Sequence, residues 1–146
     1  MNSTIHASAA LVGAKAALIR GPAGAGKSRL AYDLIQAAAQ GALPFARLVA
    51  DDRAHVDAHG DRLLVRPAAE LAGRIEIYGL GIRRLVFEPM AVVGLVVDLA
   101  AADGARLPGQ QAETTLISGV TLPRLAVAAG MAPLPLVLAR LRTNPD

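Results

Sequence analysis

The sequence predicts an α/β fold in which a mixed β-sheet is accompanied by a few helices. A short apolar segment from Leu18 is followed by a glycine-rich loop and then by helix-forming residues up to Ala39. Two other segments place short strand-like runs on either side of a turn, which is typical of β-hairpins. Residues 90–97 form an apolar run suited to a strand that is covered on both faces.

Chain length and composition limit both the number of domains and the partners. The 146 residues are 53% hydrophobic, and a chain of this length can bury most of its surface in one core, so we predict a single domain over residues 1–146. The 15 Lys and Arg residues barely exceed the 12 Asp and Glu residues, and only 3% of residues are aromatic. Neither a basic tract nor a base-stacking surface is indicated, so we expect no nucleic-acid partner.

Three features indicate a cytoplasmic protein. Cysteine is absent, which suits a reducing compartment and excludes a disulfide framework or a thiolate metal site. The N-terminus lacks the basic opening and the unbroken apolar run of a secretion signal. The longest apolar run, Met90 to Val97, is too short to cross a bilayer, so we also expect no membrane partner.

The N-terminal half contains the clearest secondary-structure signals. "ALVGAKAALIR" predicts a hairpin that leads into a buried strand ending at Arg20. After the glycines, residues 27–39 predict a helix closed by Gln40 and Gly41. "ARLVA" predicts a short strand that delivers an acidic pair to its carboxyl end.

The C-terminal half predicts further strands and one helix. A hairpin turns at Gly60 and Asp61, and "RIEIYGLG" and "MAVVGLVVDLA" predict a short strand and a central strand. Residues 106–123 lack a regular pattern and predict a mobile loop followed by an edge strand. "PLPLVLARLR" predicts a final short helix.

The glycine-rich loop fits the pattern G-x-x-x-x-G-K-[S/T], and it lies between a strand and a helix, as that motif requires. Its backbone amides would surround phosphate oxygens, the lysine would reach the terminal phosphates, and the serine hydroxyl would bind magnesium. A chance match in a glycine-rich chain is the alternative, but the chain has only two lysines. The predicted phosphate-binding residues are Gly21, Pro22, Ala23, Gly24, Ala25, Gly26, Lys27 and Ser28.

Asp51 and Asp52 follow "RLVA", where a phosphate loop needs an acidic partner. Neighbouring residues on a strand point to opposite faces, so one carboxylate could bind magnesium while the other removes a proton from the acceptor hydroxyl. A solvated strand end is the simpler alternative. His55, Asp57 and His59 share one strand face, which we interpret as the outer face of the hairpin rather than a metal site.

The order of "IHAS", "RGPAGAGKS", "LVADD" and "IEIYGLGI" resembles the catalytic domain of HPr kinase/phosphorylase, from about His6 to about Val127. The resemblance implies a domain related to phosphoenolpyruvate carboxykinase. It also implies that ATP and magnesium are used to phosphorylate a serine of the phosphocarrier protein HPr, and many members reverse the reaction.

The resemblance also implies roles for individual residues. Asp51 matches the general base, and His6 matches a histidine near that aspartate. Asp52 and Glu76 match acidic residues beside the metal. Arg106 matches an arginine of a flexible catalytic loop, where it would offset charge on the transferring phosphoryl group.

The chain departs from the family pattern at three places. Tyr78 stands where the family has an arginine, which removes a positive charge from the phosphate site. We expect this chain to lack the family's N-terminal domain and to have a segment after Val127 that is shorter than the family's C-terminal helices, as in a short proteobacterial form. The family forms a hexamer. Because of these departures, the resemblance supports a homo-oligomer less strongly than it supports a kinase.

Two other functions stay open on the sequence alone. The chain could sense ATP or phosphate and regulate a partner by contact, with its chemistry weakened by Tyr78. A kinase of small molecules on the same scaffold is the third candidate. Transfer of phosphate to an HPr-like protein would distinguish a protein serine kinase from a sensor.

Overall fold

A computed structural model describes residues 3–146. In this part of the chain the strands are β1 (Ile5–His6), β2 (Ser8–Val12), β3 (Lys15–Arg20), β4 (Ala46–Ala50), β5 (Arg53–His59), β6 (Arg62–Pro67), β7 (Arg74–Ile77), β8 (Gly81–Arg84), β9 (Ala91–Asp98), β10 (Thr114–Ile117) and β11 (Val120–Ala126). The helices are α1 (Lys27–Ala39) and α2 (Pro133–Arg142), with short 3₁₀ turns at Ala69–Leu71 and Gln110–Glu113.

Nine of these strands form one mixed sheet in the order β1-β5-β6-β9-β3-β2-β4, and β11 pairs with β9 and with β10. The pairs β3–β9 and β9–β11 are parallel, whereas the other pairs are antiparallel. Parallel pairing brings the carboxyl ends of β3 and β9, at Arg20 and Asp98, side by side. The predicted α/β class with a mixed sheet is confirmed.

Helix α1 packs on one face of this sheet. Its first residue follows Gly26, which takes φ 99°, and its last turn is followed by Gly41 at φ 87°. Both backbone conformations favour glycine. Leu30, Ala31, Leu34 and Ala37 are buried at helical spacing, so α1 buries one face in a core that also includes Val137 of α2.

A second hydrophobic cluster lies on the other face of the sheet. Its members come from β2, β3, β4, β5, β6, β9 and β11 and include Leu18, Leu63 and Val96. Strands β4 and β6 are far apart in the strand order but contact each other, so the sheet curls around this cluster. The curl lets a sheet without a second helical layer bury both of its faces.

The chain crosses between the two halves of the curled sheet at adjacent points. β1 leads into β2 at Ala7, and β4 leads into β5 at Asp51 and Asp52. The Ala7 N–H donates to the Asp52 carbonyl at 3.2 Å, which ties the two crossings together. The acidic pair therefore lies where the halves of the sheet meet.

The structure confirms most of the predicted elements. The hairpins around Gly13 and Gly60, the helix over residues 27–39, the central strand β9 and the C-terminal helix are present. For residues 106–123 we expected a loop followed by an edge strand, and β10, which among the described strands pairs with β11 alone, is that edge strand, whereas β11 lies inside the sheet. Alternate residues of β11, Val120 and Leu122, are buried in the second cluster, which places this strand beside β9.

We predict that Leu34→Ala lowers the free energy of unfolding by about 3 kcal/mol, because it opens a cavity between α1 and the sheet. Leu34 is fully buried. Leu116→Ala is the control, since Leu116 is 68% exposed on β10 and its truncation should cost less than about 0.5 kcal/mol. Urea denaturation measures both variants. Equal losses would contradict this packing of α1.

Candidate phosphate and catalytic site

The glycine loop, residues 21–28, joins β3 to α1. Gly24 and Gly26 take φ values of 80° and 99°, in the left-handed region that favours glycine. No side chain caps the start of α1, and its first turn contains no acidic residue. The first backbone N–H groups of the helix are therefore free to bind an anion, and the helix dipole favours negative charge there.

Lys27 folds back over the glycine loop. Its Nζ donates to the carbonyl oxygens of Gly21 and Pro22 at 2.8 and 3.2 Å. Within residues 3–146 no carboxylate forms an ion pair with this ammonium group. Its positive charge is thus held at the loop by neutral acceptors, which an anionic ligand can replace.

Asp51 is 4% exposed, and its hydrogen bonds join the glycine loop to β2 and β7. Its Oδ1 accepts hydrogen bonds from Ser8 Oγ at 2.7 Å and from Ser28 Oγ at 2.6 Å. Its Oδ2 accepts from the Glu76 backbone N–H at 3.0 Å. The buried carboxylate therefore receives the hydrogen bonds that a group removed from water requires.

Asp52 is exposed and has a strained backbone. Its φ is 70°, which is uncommon for a residue with a side chain. The Arg53 N–H donates to the Asp51 carbonyl at 2.8 Å, so Asp52 is the central residue of a three-residue turn. The two aspartates lie in this turn and not on a strand, so their orientations do not follow from strand alternation. Strain of this kind is typical of functional sites.

His6 and Glu76 lie on elements next to this turn. His6 is exposed on β1 and is paired with Arg53, the residue that follows the aspartates. Glu76 contributes its backbone N–H to Asp51, while its side chain is exposed. The structure thus brings His6, Glu76 and both aspartates to one region beside Ser28.

Arg106 is exposed in the segment that connects β9 to β10. Within residues 3–146 its side chain makes no hydrogen bond or ion pair to the aspartates or to the glycine loop. Of the predicted site residues, Arg106 is the one that the described contacts do not connect to the others.

A partly buried charge network lies beside the glycine loop, and the motifs gave no indication of it. Arg20 holds the Asp98 carboxylate through Nε and Nη2 at 2.7 and 2.8 Å. Arg124 donates to the same carboxylate at 2.5 Å and also pairs with Asp103 at 2.7 Å. The network ties the strand that enters the glycine loop to β9, β11 and the segment after β9.

The network determines the charge state of Asp98. Burial raises the pKa of this carboxyl, but the hydrogen bonds and charges of Arg20 and Arg124 outweigh burial and hold the pKa below its usual range. The pKa of Arg124 is raised as well, mainly by its hydrogen bonds to Asp103 and further by its pairing with Asp98. Asp98 is therefore ionised and fully paired at neutral pH, so it is a structural residue and not a free base.

A pocket of about 260 Å³ opens beside the glycine loop at Gly24 and Ala25. Its walls are small or apolar residues that come from the loop, the end of β9 and the segment before α2, and they are Gly24, Ala25, Leu99, Ala100, Val127, Ala128, Ala129, Gly130, Met131 and Pro133. This lining suits a flat apolar group and provides few side-chain hydrogen bonds.

The donor atoms fit magnesium that is shared with phosphate. Magnesium binds through one or two carboxylates together with substrate phosphates, and it rarely occupies a cage made by protein alone. The Ser28 hydroxyl and the Asp51 carboxylate are in contact beside the glycine loop. Residues 3–146 contain no cluster of three acidic or histidine side chains that could hold a metal, and this applies to His55, Asp57 and His59 as well.

The fold is similar to that of a solved structure, the HPr(Ser) kinase/phosphatase from Coxiella burnetii, with a TM-score of 0.74. The two sequences are 24% identical, and the alignment covers 96% of this chain and 88% of that chain. No family model matches the sequence, and no curated protein matches it either. At this identity the similarity establishes a shared fold.

We predict that Asp98→Asn lowers the free energy of unfolding by about 2–3 kcal/mol at pH 7, because two partly buried arginines lose their shared partner. Since the pKa of Asp98 is lowered from 3.8 in the folded state, its stabilisation is complete above about pH 4 and is lost as the pH falls through the folded-state value. Urea denaturation of both proteins at pH 7 and pH 3 measures the difference. A pH-independent difference would contradict the ion pair.

Proposed function

We propose that this chain is an ATP- and magnesium-dependent protein kinase that phosphorylates a serine of an HPr-like phosphocarrier protein of the phosphotransferase system. It would be a member of the HPr kinase/phosphorylase family. The hydrogen bond from Ser28 to Asp51 at 2.6 Å carries the proposal, because it joins the phosphate motif to the acidic pair in one site. The shared fold with an HPr(Ser) kinase/phosphatase supports the same family.

The glycine loop would hold the phosphates of ATP. Amides at the start of α1 would bind phosphate oxygens, and Lys27 would exchange the carbonyls of Gly21 and Pro22 for the terminal phosphates. The pocket beside Gly24 and Ala25 would take the base, because it lies next to the loop and is lined by small and apolar side chains. Its lack of polar side chains predicts weak discrimination between purine bases.

The contacts favour a division of the aspartates that is the reverse of the one implied by the family resemblance. Both oxygens of Asp51 already accept hydrogen bonds, and one donor is the Ser28 hydroxyl. We therefore propose that Asp51 and Ser28 hold magnesium, which when bound would neutralise charge on the phosphates. Asp52 is exposed and its carboxylate has no hydrogen-bond partner among residues 3–146, so we assign the general base to Asp52.

In the proposed reaction the serine oxygen of the acceptor forms a bond to the γ-phosphorus while the bond to the ADP oxygen breaks. The proton of the serine hydroxyl passes to the Asp52 carboxylate, so charge and atoms balance. The strained turn would hold Asp52 towards the acceptor. Lys27 would stabilise the negative charge that moves onto ADP.

Roles for the remaining site residues rest on their positions. His6 lies opposite Arg53 in the β1–β5 pair, so it would orient or protonate groups near Asp52. The Glu76 side chain is exposed beside Asp51 and would interact with magnesium through water. Arg106 would offset charge on the transferring phosphoryl group, a role that rests on the family resemblance alone.

A sensor of ATP or phosphate is the second candidate, and one observation favours it. Tyr78, which replaces the family's arginine, is fully exposed at the turn between β7 and β8. It therefore supplies no positive charge to the phosphates, which would weaken transfer and its reversal by inorganic phosphate. Nucleotide binding without transfer would support this candidate.

Three other expectations stay predictions. They are the single domain over residues 1–146, the cytoplasmic location and the homo-oligomeric state. Residues 3–146 contain no helix that could serve as a membrane span.

The proposal predicts that the wild-type protein transfers label from [γ-³²P]ATP to a serine of purified HPr in the presence of magnesium. Lys27→Ala should weaken ATP binding at least tenfold and reduce transfer with it, because the loop loses its only ammonium group. Arg29→Ala is the matched control, since Arg29 is an exposed cation on the same helix. Unchanged ATP affinity in Lys27→Ala would contradict phosphate binding by the loop.

Replacing each aspartate separately tests the division of roles. Asp52→Asn should lower the rate of transfer by about 10²-fold or more while the affinity for magnesium and ATP stays the same, because the base acts on the acceptor. Asp51→Asn should weaken magnesium-dependent nucleotide binding. Asparagine tolerates the positive φ at position 52, so the turn is preserved. The opposite pattern in titration calorimetry and transfer assays would restore the base to Asp51.

A further inference from the structure

The β7–β8 hairpin carries an exposed apolar tip beside the candidate site. Tyr78, Leu80 and Ile82 are 104%, 61% and 63% exposed. The turn is closed by the Leu80 N–H, which donates to the Ile77 carbonyl at 2.9 Å. Large apolar side chains that all face water around one turn indicate a contact surface and not a folding requirement.

Three arginines lie on the strands of the same hairpin, at the end away from the turn. Arg74 and Arg84 are opposite each other in the β7–β8 pair, Arg83 is adjacent, and all three are exposed. In the described chain, residues 3–146, none of the three forms an ion pair. Glu76 is the single acidic residue of the hairpin, so the surface combines an apolar tip with unpaired positive charge.

The hairpin is fixed to the candidate site through its other face. Ile75 is buried in the core with α1, and Ile77 packs against the same core. The Glu76 N–H, located between them, donates to the Asp51 carboxylate. A molecule bound to the exposed face of the hairpin is therefore held next to the aspartates.

We propose that the hairpin tip, defined as Tyr78, Leu80 and Ile82, docks the protein acceptor, with Arg74 and Arg84 selecting its charge. This inference rests on the proposed kinase function. The acceptor would present aliphatic or aromatic side chains flanked by Asp or Glu, close to the serine that receives the phosphoryl group. The apolar contact would provide affinity, and the arginines would increase the association rate at low salt.

Charge argues against a second copy of this chain as the occupant. A two-fold contact centred on the tip would bring the arginines of both copies together around one apolar patch, and like charges would repel. A membrane surface fits less well than a protein, because three side chains bury little apolar area in a bilayer interface. The hydrogen bond from the Glu76 N–H to Asp51 also holds the hairpin next to the aspartates, where the acceptor serine would react.

Binding of purified HPr tests the inference. Titration calorimetry with magnesium and a non-hydrolysable ATP analogue should show that Leu80→Ser/Ile82→Ser weakens HPr affinity at least tenfold. Affinity for the analogue should stay within twofold of wild type. Arg74→Gln/Arg84→Gln should weaken HPr binding at low salt and have a smaller effect at high salt. Leu116→Ser is the control, since this residue is equally exposed on β10 and should change neither affinity.

The outcomes distinguish this inference from the proposed function. If HPr binds all variants with the same affinity as wild type, the docking surface is overturned and the kinase proposal stays intact. HPr that binds through the hairpin but receives no label overturns the kinase and keeps the docking surface. HPr that does not bind wild type overturns the inference. Hairpin-dependent binding to vesicles of 70% phosphatidylcholine and 30% phosphatidylglycerol would overturn it, as would a dimer that both double variants abolish in sedimentation equilibrium.

Discussion

The buried carboxylate of Asp51 is the constraint on which the candidate site depends. A carboxyl group removed from water needs hydrogen-bond partners, and three donors from β2, α1 and β7 supply them. Hydrogen bonds to charged groups contribute about 1.5–3 kcal/mol each. Because one carboxylate accepts all three hydrogen bonds, it fixes the start of α1 and the β7–β8 hairpin relative to β4.

The location of Asp51 follows from the topology of the sheet. The chain crosses between the two halves of a curled sheet at Ala7 and again at the aspartates, and a hydrogen bond connects the crossings. The sharp reversal after Asp51 leaves Asp52 at positive φ, at a cost of about 1–3 kcal/mol. The surrounding strand pairs supply that free energy. The fold thus separates one carboxylate that is buried and satisfied from one that is exposed and free.

Local sequence signals predicted the elements but not their arrangement. Apolar strands, the Gly60 turn and the helix from Lys27 have short-range causes, so they could be predicted from composition and spacing. The glycine loop was also visible, because its residues are contiguous. The parallel neighbours β3, β9 and β11 depend on contacts distant in sequence, so their order in the sheet could not be predicted.

The same distinction applies to the site. The acidic pair could be predicted, but its turn could not, because Asp52 adopts a conformation that asparagine or glycine would adopt more easily. Ser8 gave no signal as a partner of Asp51, because a buried serine in an alanine-rich strand has no pattern of its own. Asp98 could have been noticed as a charge that ends the most apolar strand. Its pairing with Arg20 and Arg124 required the tertiary structure.

A crystal structure with magnesium and a non-hydrolysable ATP analogue tests the central claim most directly. We expect the phosphates to lie in the glycine loop, with Lys27 Nζ moved from the carbonyls of Gly21 and Pro22 to phosphate oxygens. The Ser28 hydroxyl should bind the metal next to Asp51, with Asp52 free on the acceptor side. Phosphates bound away from the loop, with Lys27 still on the Gly21 carbonyl, would contradict the account.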